Sequence, residues 1–150
     1  QKSCINMSLP GKSLTEIHNE SCKILTQGLI DLKVLTGSLD ENITNSHYKK
    51  YYPHGTSHWL GMDVHDECHY YSETQQDVQL AEGMIFTIEP GLYFPSCDKS
   101  IRKELQGIGI RIEDDILITK TGHEIITSQI PKEIKEIEEA CKQDFQDLHY

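Results

Sequence analysis

The chain has 150 residues, with 14 Lys and Arg against 24 Asp and Glu, and a formal net charge of −10. With 37% hydrophobic and 25% charged residues, its composition is that of one globular domain and excludes a disordered or fibrous chain. The negative charge disfavours nucleic acid and anionic membrane surfaces as partners, and no apolar run reaches the roughly 18 residues that a membrane span needs.

The cysteines indicate the cellular compartment of the protein, and the N-terminus indicates how the chain begins. The five cysteines are odd in number and include no Cys-x-x-Cys pair, which favours free thiols in a reducing compartment. We therefore expect an intracellular protein, either cytoplasmic or mitochondrial. Because the chain begins with neither Met nor an apolar signal core, we also expect that it was cut from a longer protein.

The first half of the chain has the periodicity of helices. Ser13 and Glu16 form a Ser-x-x-Glu capping box. Apolar residues then recur at steps of three to five, which predicts an amphipathic helix over residues 13–35. Residues 36–53 are polar, and we expect a loop there with a short helix near residues 45–50.

Two later segments, residues 84–93 and 107–119, have the period of two that is typical of β-strands. In the first segment Glu89 shares a face with Thr87, and Pro90 then interrupts the hydrogen-bonding ladder. These features predict an α+β domain with a strand-rich centre.

The second strand carries charge on one face. We expect three isoleucines to face an apolar core while Arg111 and Glu113 point the other way. Burying a carboxylate in a sheet is costly unless it is paired or coordinates a metal. Glu89 and Glu113 together therefore predict a metal site, and Arg111 is expected to hold Glu113 in place. An ordinary ion pair between Arg111 and Glu113 is the alternative.

Histidines cluster beside carboxylates just before these strands. Such a cluster binds a divalent metal or transfers protons near neutral pH, although the same pattern fits a histidine-rich surface loop. One imidazole nitrogen among carboxylate oxygens suits Mn²⁺, Co²⁺ or Zn²⁺. The four clustered histidines are His54, His58, His65 and His69.

The C-terminal segment predicts one more helix. Pro131 is expected to open it, and Ile134, Ile137 and Cys141 fall on one stripe among Lys and Glu. We expect this stripe to pack on the sheet.

Three longer motifs carry a family resemblance. They are HGTSHWLGMDVHD at residues 54–66, EGMIFTIEPGLY at residues 82–93 and GIGIRIEDD at residues 107–115. In this order and spacing they resemble the Xaa-Pro aminopeptidases (aminopeptidase P), and Ser57–Trp59 is closer to these than to the related prolidases. The resemblance implies a pita-bread fold, in which helices cover a curved, mostly antiparallel sheet. The fold is expected to be incomplete here, with residues 1–150 forming the C-terminal portion of the catalytic domain.

The resemblance also implies a metal centre. His58, Glu89 and Glu113 match metal ligands of a site for two divalent ions, usually Mn²⁺, with Glu113 bridging both. Two further aspartate ligands of the family lie upstream of the first histidine. Asp31 and Asp40 are the only upstream aspartates here, and neither stands in a matching motif. We expect the chain alone to hold at most one ion well and to be inactive.

The implied reaction removes the first residue from peptides that have proline second, by attack of metal-activated water. His54 and His65 match histidines that bind substrate or stabilise the transition state, Glu89 is the expected proton acceptor, and Arg111 matches a supporting arginine. Peptides are the only partners implied, and homo-oligomers of the full-length protein stay open. A prolidase acting on Xaa-Pro dipeptides and a non-catalytic pita-bread protein that binds peptides or partners are the alternatives.

Overall fold

The structure of the protein, a computed structural model, describes residues 1–142. Helices make up the first third of the chain and short antiparallel strands most of the remainder, so the expected α+β class is confirmed. The elements are α1 (Lys2–Asn6), α2 (Leu14–Asp31), α3 (Leu39–Thr44), a 3₁₀ helix (His47–Lys50), β1 (Ile85–Ile88), β2 (Gly91–Tyr93), a 3₁₀ helix (Lys103–Leu105), β3 (Gly109–Arg111), β4 (Asp114–Ile118), β5 (His123–Ile125) and α4 (Ile134–Ala140).

Helix α2 begins where the capping box predicts. The Ser13 hydroxyl accepts a hydrogen bond from the Glu16 amide, and the Glu16 carboxylate accepts one from the Ser13 amide. The helix ends at Asp31, before the expected residue 35, because Lys33 adopts a left-handed backbone with a φ of 58°. Helix α1, which the sequence did not predict, packs on α2 through its buried residue Cys4.

The polar segment 36–53 contains more helix than expected. The short helix near residues 45–50 is confirmed as the 3₁₀ helix, but α3 was missed. Helix α3 buries Asn42, whose side-chain amide donates to the carbonyls of Thr36 and Ser38, each at 2.8 Å. A helix that buries a hydrogen-bonded polar side chain lacks the apolar stripe on which sequence reasoning depends.

The two predicted strands are each divided in two, yet they keep one register. Ile88 lies opposite Asp114 in the β1–β4 pair, and Gly91 lies opposite Arg111 in the β2–β3 pair. This common register places Glu89 opposite Glu113 at the interruption. Pro90 has no amide hydrogen to donate to the ladder, which accounts for the break at this point.

A further extended segment, residues 56–60, lines the other edge of β1. The Glu89 amide donates to the Thr56 carbonyl at 2.7 Å, and the Thr87 amide donates to the His58 carbonyl at 3.0 Å. Strand β1 therefore lies between this histidine segment and β4, and β5 completes the sheet beyond β4. Residues from three neighbouring extended segments can thus meet on one face.

The opposite face of this sheet forms a hydrophobic core with the N-terminal helices. Phe86, Ile88 and Ile116 are fully buried there. Other core members come from α1, α2, the histidine segment, the stretch before β1 and the end of β4; they include Cys4, Ile5, Leu14, Ile17, Trp59, Leu80 and Ile118. The core leaves the other face of β1 for polar chemistry.

Two expectations about apolar faces are wrong. Ile108 and Ile110 are 40% and 58% exposed, because they line an open apolar cleft beside Leu25 of α2 and are not buried in the core. Helix α4 begins at Ile134, three residues after Pro131, and Ile134 is 77% exposed, so within the described residues its stripe does not pack on the sheet. A short helix with few apolar residues has little surface to bury.

Two other observations concern the whole described range. The five cysteines are free, as expected. Among residues 1–142, none of the helices has both the length and the apolar character that crossing a bilayer requires.

Candidate metal centre

His58, Glu89 and Glu113 converge at the interruption of the sheet. Each offers one ligand atom, and these atoms lie within 4.8 Å of one another. Within residues 1–142 they form the one group of His, Cys, Asp and Glu side chains with such geometry. The strand registers account for it, because Glu89 and Glu113 are opposite each other and His58 is beside them on the same face.

The His58 ring is oriented by the backbone of the next residue. Its Nδ1 lies 3.0 Å from the Trp59 carbonyl oxygen, so we assign the proton to Nδ1. The unprotonated Nε2 then faces Oε1 of Glu89 at 3.1 Å. Two acceptor atoms this close require a proton or a cation between them.

Glu89 is the buried carboxylate of the centre, at 8% exposure. Its Oε1 accepts a hydrogen bond from the Thr87 hydroxyl at 3.1 Å, and its Oε2 lies 3.4 Å from Nη1 of Arg111. Such partners compensate a buried carboxylate for its lost hydration. The Thr87 contact follows from the alternation of the strand, which places both side chains on one face.

Glu113 differs from its prediction, because most of its side chain is exposed and the protein covers only part of it. Partial burial at the strand, followed by the nearby charge of Glu89, raises the pKa of Glu113. Like charges directly opposite each other destabilise a strand pair. A divalent cation between the two carboxylates would turn this repulsion into attraction, so the donor set fits one divalent ion.

Arg111 pairs with Glu89 and Tyr93, where the sequence predicted contact with Glu113. Its Nε–H donates to the Tyr93 hydroxyl at 2.6 Å, and this hydrogen bond raises the pKa of Arg111. The same hydroxyl lies 2.9 Å from Nε2 of His54. Tyr93 thus connects Arg111 to His54, a role that sequence reasoning missed although the period of two from Glu89 to Tyr93 contained the signal.

Gly91 makes the Tyr93 contact possible. A Cβ at Gly91 would lie 2.6 Å from the Tyr93 hydroxyl oxygen and 2.9 Å from the Ile110 carbonyl oxygen. A side chain at this position would displace the Tyr93 ring from Arg111. The glycine of the Glu-Pro-Gly sequence is therefore required by the close approach of Tyr93.

The loop of residues 59–66 brings His65 to the metal centre, because the two ends of the loop are hydrogen-bonded to each other. The Asp66 amide donates to the Trp59 carbonyl at 3.2 Å. The His65 and His58 rings then meet edge to face with centroids 4.2 Å apart. The Asp63 amide donates to the Asp66 carboxylate, which lowers the pKa of Asp66 and fixes the loop.

The remaining candidates divide into those inside and those outside the cleft. His54, His65, Glu89 and Arg111 line one cleft of about 330 Å³ together with His58. His69 lines a different pocket. Asp31 and Asp40 are exposed on α2 and α3, outside the metal-ligand group of the described residues.

Comparison with known proteins decides the family. Residues 1–120 match metallopeptidase family M24. The chain belongs to this family. An Xaa-Pro aminopeptidase of Haemophilus influenzae is 43% identical over 138 residues, which are 92% of this chain and 31% of that protein. The mitochondrial intermediate cleaving peptidase 55 of Arabidopsis thaliana is 41% identical over 137 residues, which are 91% of this chain and 25% of that protein.

A solved structure confirms the fold. Zinc-substituted aminopeptidase P of Escherichia coli, in complex with product, matches with a TM-score of 0.87 and 38% identity. The match covers 95% of this M24 chain and 32% of that one. The described residues therefore have the pita-bread fold, and the chain spans about a third of the length of the proteins that it matches. Membership of a metallopeptidase family implies the use of divalent metal ions.

Proposed function

We propose that the protein, at its natural length, is a metal-dependent aminopeptidase that removes the first residue from peptides with proline in second position. The observation that carries this proposal is the convergence of His58, Glu89 and Glu113 within 4.8 Å. The name of the Haemophilus influenzae relative, Xaa-Pro aminopeptidase, supports the substrate class. Residues 1–150 would form the C-terminal portion of the catalytic domain.

His58 Nε2 and the carboxylates of Glu89 and Glu113 would hold divalent metal, and we propose Mn²⁺ in a site for two ions. Bound divalent ions supply Lewis acidity, which polarises a carbonyl group and makes water a stronger nucleophile at neutral pH. Within residues 1–142 only these three ligands meet. The chain alone would therefore hold at most one ion well, and we propose that it is inactive by itself.

Glu89 would accept the proton of the attacking water. Its carboxylate is buried and faces the cleft, and Arg111 and Thr87 hold its two oxygens. These contacts fix the orientation of the proton acceptor before substrate binds, so little reorganisation is needed during the reaction.

The two flanking histidines would act on the substrate. His65 lies over the His58 ring and can donate a hydrogen bond to the carbonyl oxygen of the scissile bond as negative charge develops there. His54, held between Tyr52 and Tyr93, presents an aromatic wall to the cleft. An aromatic wall suits the flat, apolar ring of proline.

For the location, we propose the cytoplasm or the mitochondrion. The free cysteines fit a reducing compartment, and one relative carries the word mitochondrial in its name. Fractionation of the native cells with an antibody against the chain tests this assignment, and secretion into the medium would contradict it.

The decisive experiment is a peptidase assay of the protein at its natural length. The tripeptide Xaa-Pro-Xaa, the tripeptide Xaa-Ala-Xaa and the dipeptide Xaa-Pro are compared, each with Mn²⁺, with Zn²⁺ and with a chelator. We expect cleavage of the proline tripeptide with Mn²⁺ and none with the chelator. The Glu113→Ala variant should be inactive, while Asp40→Asn, which removes an exposed carboxylate on α3, should retain full activity.

Other outcomes would replace the proposal. Cleavage of the dipeptide alone identifies a prolidase. If the protein binds no metal and the Glu113→Ala variant behaves as wild type does in these assays, the proposal is replaced by a protein that binds peptides or partners on an inherited fold.

A further inference from the structure

Asp114 is a buried carboxylate that the proposed reaction does not use. Its side chain is only 1% exposed. It follows Glu113 directly in the chain, so the two side chains point to opposite faces of the strand. Asp114 thus lies on the apolar side of the sheet, opposite Ile88, where an uncompensated charge would be strongly unfavourable.

Lys132 compensates that charge. Its Nζ lies 2.9 Å from Oδ1 of Asp114 and also donates to the carbonyls of Thr127 and Ile130, each at 2.8 Å. The three N–H groups of the ammonium therefore each have an acceptor. The Thr127 hydroxyl donates to the same Asp114 oxygen at 2.6 Å.

The contacts extend along the start of β4. The Asp115 amide donates to the Thr127 hydroxyl at 3.0 Å, and the Ile126 amide donates to the Asp115 carbonyl at 2.9 Å. Segment 126–132 is thereby attached to the first two residues of β4. The attachment lies beside the break in the ladder, where Glu113 itself has no partner in the β1–β4 or β2–β3 pairs.

We propose that Asp114 and Lys132 are positioning residues that hold Glu113 opposite Glu89. This inference rests on the proposed metal site. Repulsion between the two glutamates would push β4 away from β1 at the point where the ladder is broken. The ion pair with Lys132 holds the backbone of residues 114 and 115 from the other face. Glu113 is thus fixed close to Glu89 before metal arrives, which favours metal binding because less order must be created.

The test compares Lys132→Met with wild type on the 150-residue chain. Met keeps the apolar stem and removes the ammonium. Mn²⁺ affinity is measured by the loss of the free Mn²⁺ signal in electron paramagnetic resonance, and amide exchange at Asp115 is measured without metal. We expect about tenfold weaker Mn²⁺ binding, the range found for residues that orient metal ligands, and faster exchange at Asp115. Lys132→Arg should restore both values.

Two further variants separate positioning from stability. Ile118→Val removes a methyl group from the buried far end of β4; it should lower the stability but leave the Mn²⁺ affinity unchanged. The double variant Asp114→Asn with Lys132→Met leaves no unpaired buried charge, so it should fold even where the single variant does not. It should bind Mn²⁺ as weakly as Lys132→Met.

The outcomes distinguish this inference from the proposed function. Unchanged Mn²⁺ affinity in Lys132→Met, or an equal loss in Ile118→Val, overturns the positioning role and leaves the metal site standing. A wild-type chain that binds no Mn²⁺ overturns the metal site on this chain, and the positioning role with it. Unchanged exchange at Asp115 in Lys132→Met overturns the positioning role whatever the metal does.

Discussion

Glu113 and Asp114 are neighbours in sequence, yet the two faces of the sheet treat their charges in opposite ways. Asp114 is buried among donors, with Lys132 and the Thr127 hydroxyl on one carboxylate oxygen. Glu113 is exposed and faces the carboxylate of Glu89. The protein therefore neutralises one carboxylate and leaves its neighbour against a like charge.

The difference distinguishes a carboxylate that stabilises the fold from a carboxylate that is available to bind a ligand. A buried carboxylate whose hydrogen bonds and charge are satisfied by the protein needs nothing else. Glu113, whose pKa is raised, is held opposite a second carboxylate and next to an imidazole nitrogen, an arrangement that a bound cation would stabilise. The face on which Glu113 has no ion-pair partner among the described residues is the place to look for function.

The largest effect that we expect concerns the compensated face. Asp114→Asn leaves the Lys132 ammonium without its counter-charge and should reduce the free energy of unfolding by about 3 kcal/mol, the lower end for a broken buried pair, because Lys132 is partly exposed. Urea denaturation measures it. Asp115→Asn is the control, since its side chain belongs to the other face. An equal loss in the two variants would contradict this account of Asp114.

The second prediction concerns Glu113, on the other face of the sheet. Glu113→Gln removes a proposed metal ligand and should weaken Mn²⁺ binding by more than about 100-fold, because even residues that only orient ligands contribute 10- to 100-fold. Calorimetry on the 150-residue chain measures this affinity. The control is Glu124→Gln, an exposed glutamate on β5 of the same sheet. Similar Mn²⁺ affinities for the two variants would mean that the glutamate pair is no metal site.

Local patterns predicted much of this arrangement. The capping box at Ser13 located α2, and the period of two located the strands and put Glu89 and Thr87 on one face. Sequence alone did not reveal the exposure of Ile110 or the burial of Asp114, because both depend on which distant segment covers each face. Lys132 lies 18 residues from Asp114 in the chain, and nothing local links the two.

Sequence patterns also predicted the ligands of the metal centre, but they did not predict every contact around it. The residues that resemble a family motif came together as a group, namely His58, Glu89 and Glu113. The partner of Arg111 was wrong, because residues two apart on a strand are farther from each other than residues on neighbouring strands. Such contacts depend on the cross-strand register, which the sequence of one strand alone does not determine.

The third prediction tests the Tyr93 hydroxyl, which connects Arg111 to His54. Tyr93→Phe removes the hydroxyl that contacts Arg111 and His54 and should reduce the free energy of unfolding by about 1 kcal/mol, the usual net value of one hydrogen bond. Thermal or urea denaturation measures it. Tyr71→Phe, at an exposed tyrosine, is the matched control and should change nothing. A Tyr93→Phe protein as stable as wild type would show that the hydroxyl is solvated equally well without Arg111.

The smallest effect that we expect is a pH dependence of the unfolding free energy, which arises from Glu113 on one face of the sheet. Burial and Glu89 raise the pKa of Glu113 above its ordinary value of 4.5, so the metal-free folded state binds a proton that the unfolded state has already released. The unfolding free energy therefore falls as the pH rises from 4.5 through the raised pKa. Glu113→Gln should match wild type below pH 4.5 and become a few tenths of a kcal/mol more stable at neutral pH, the size of a like-charge strand pair.

Mn²⁺ should reverse the sign of that difference. A ligand that binds only the folded state stabilises it in proportion to the logarithm of its concentration over its dissociation constant. Saturating Mn²⁺ at neutral pH should therefore make wild type more stable than Glu113→Gln, whereas below pH 4.5 protons displace the metal and the two proteins converge. Urea denaturation at both pH values, with Mn²⁺ and with a chelator, measures all four differences. A variant that stays more stable than wild type in Mn²⁺ would show that the repulsion at Glu89 and Glu113 is relieved by something other than a cation.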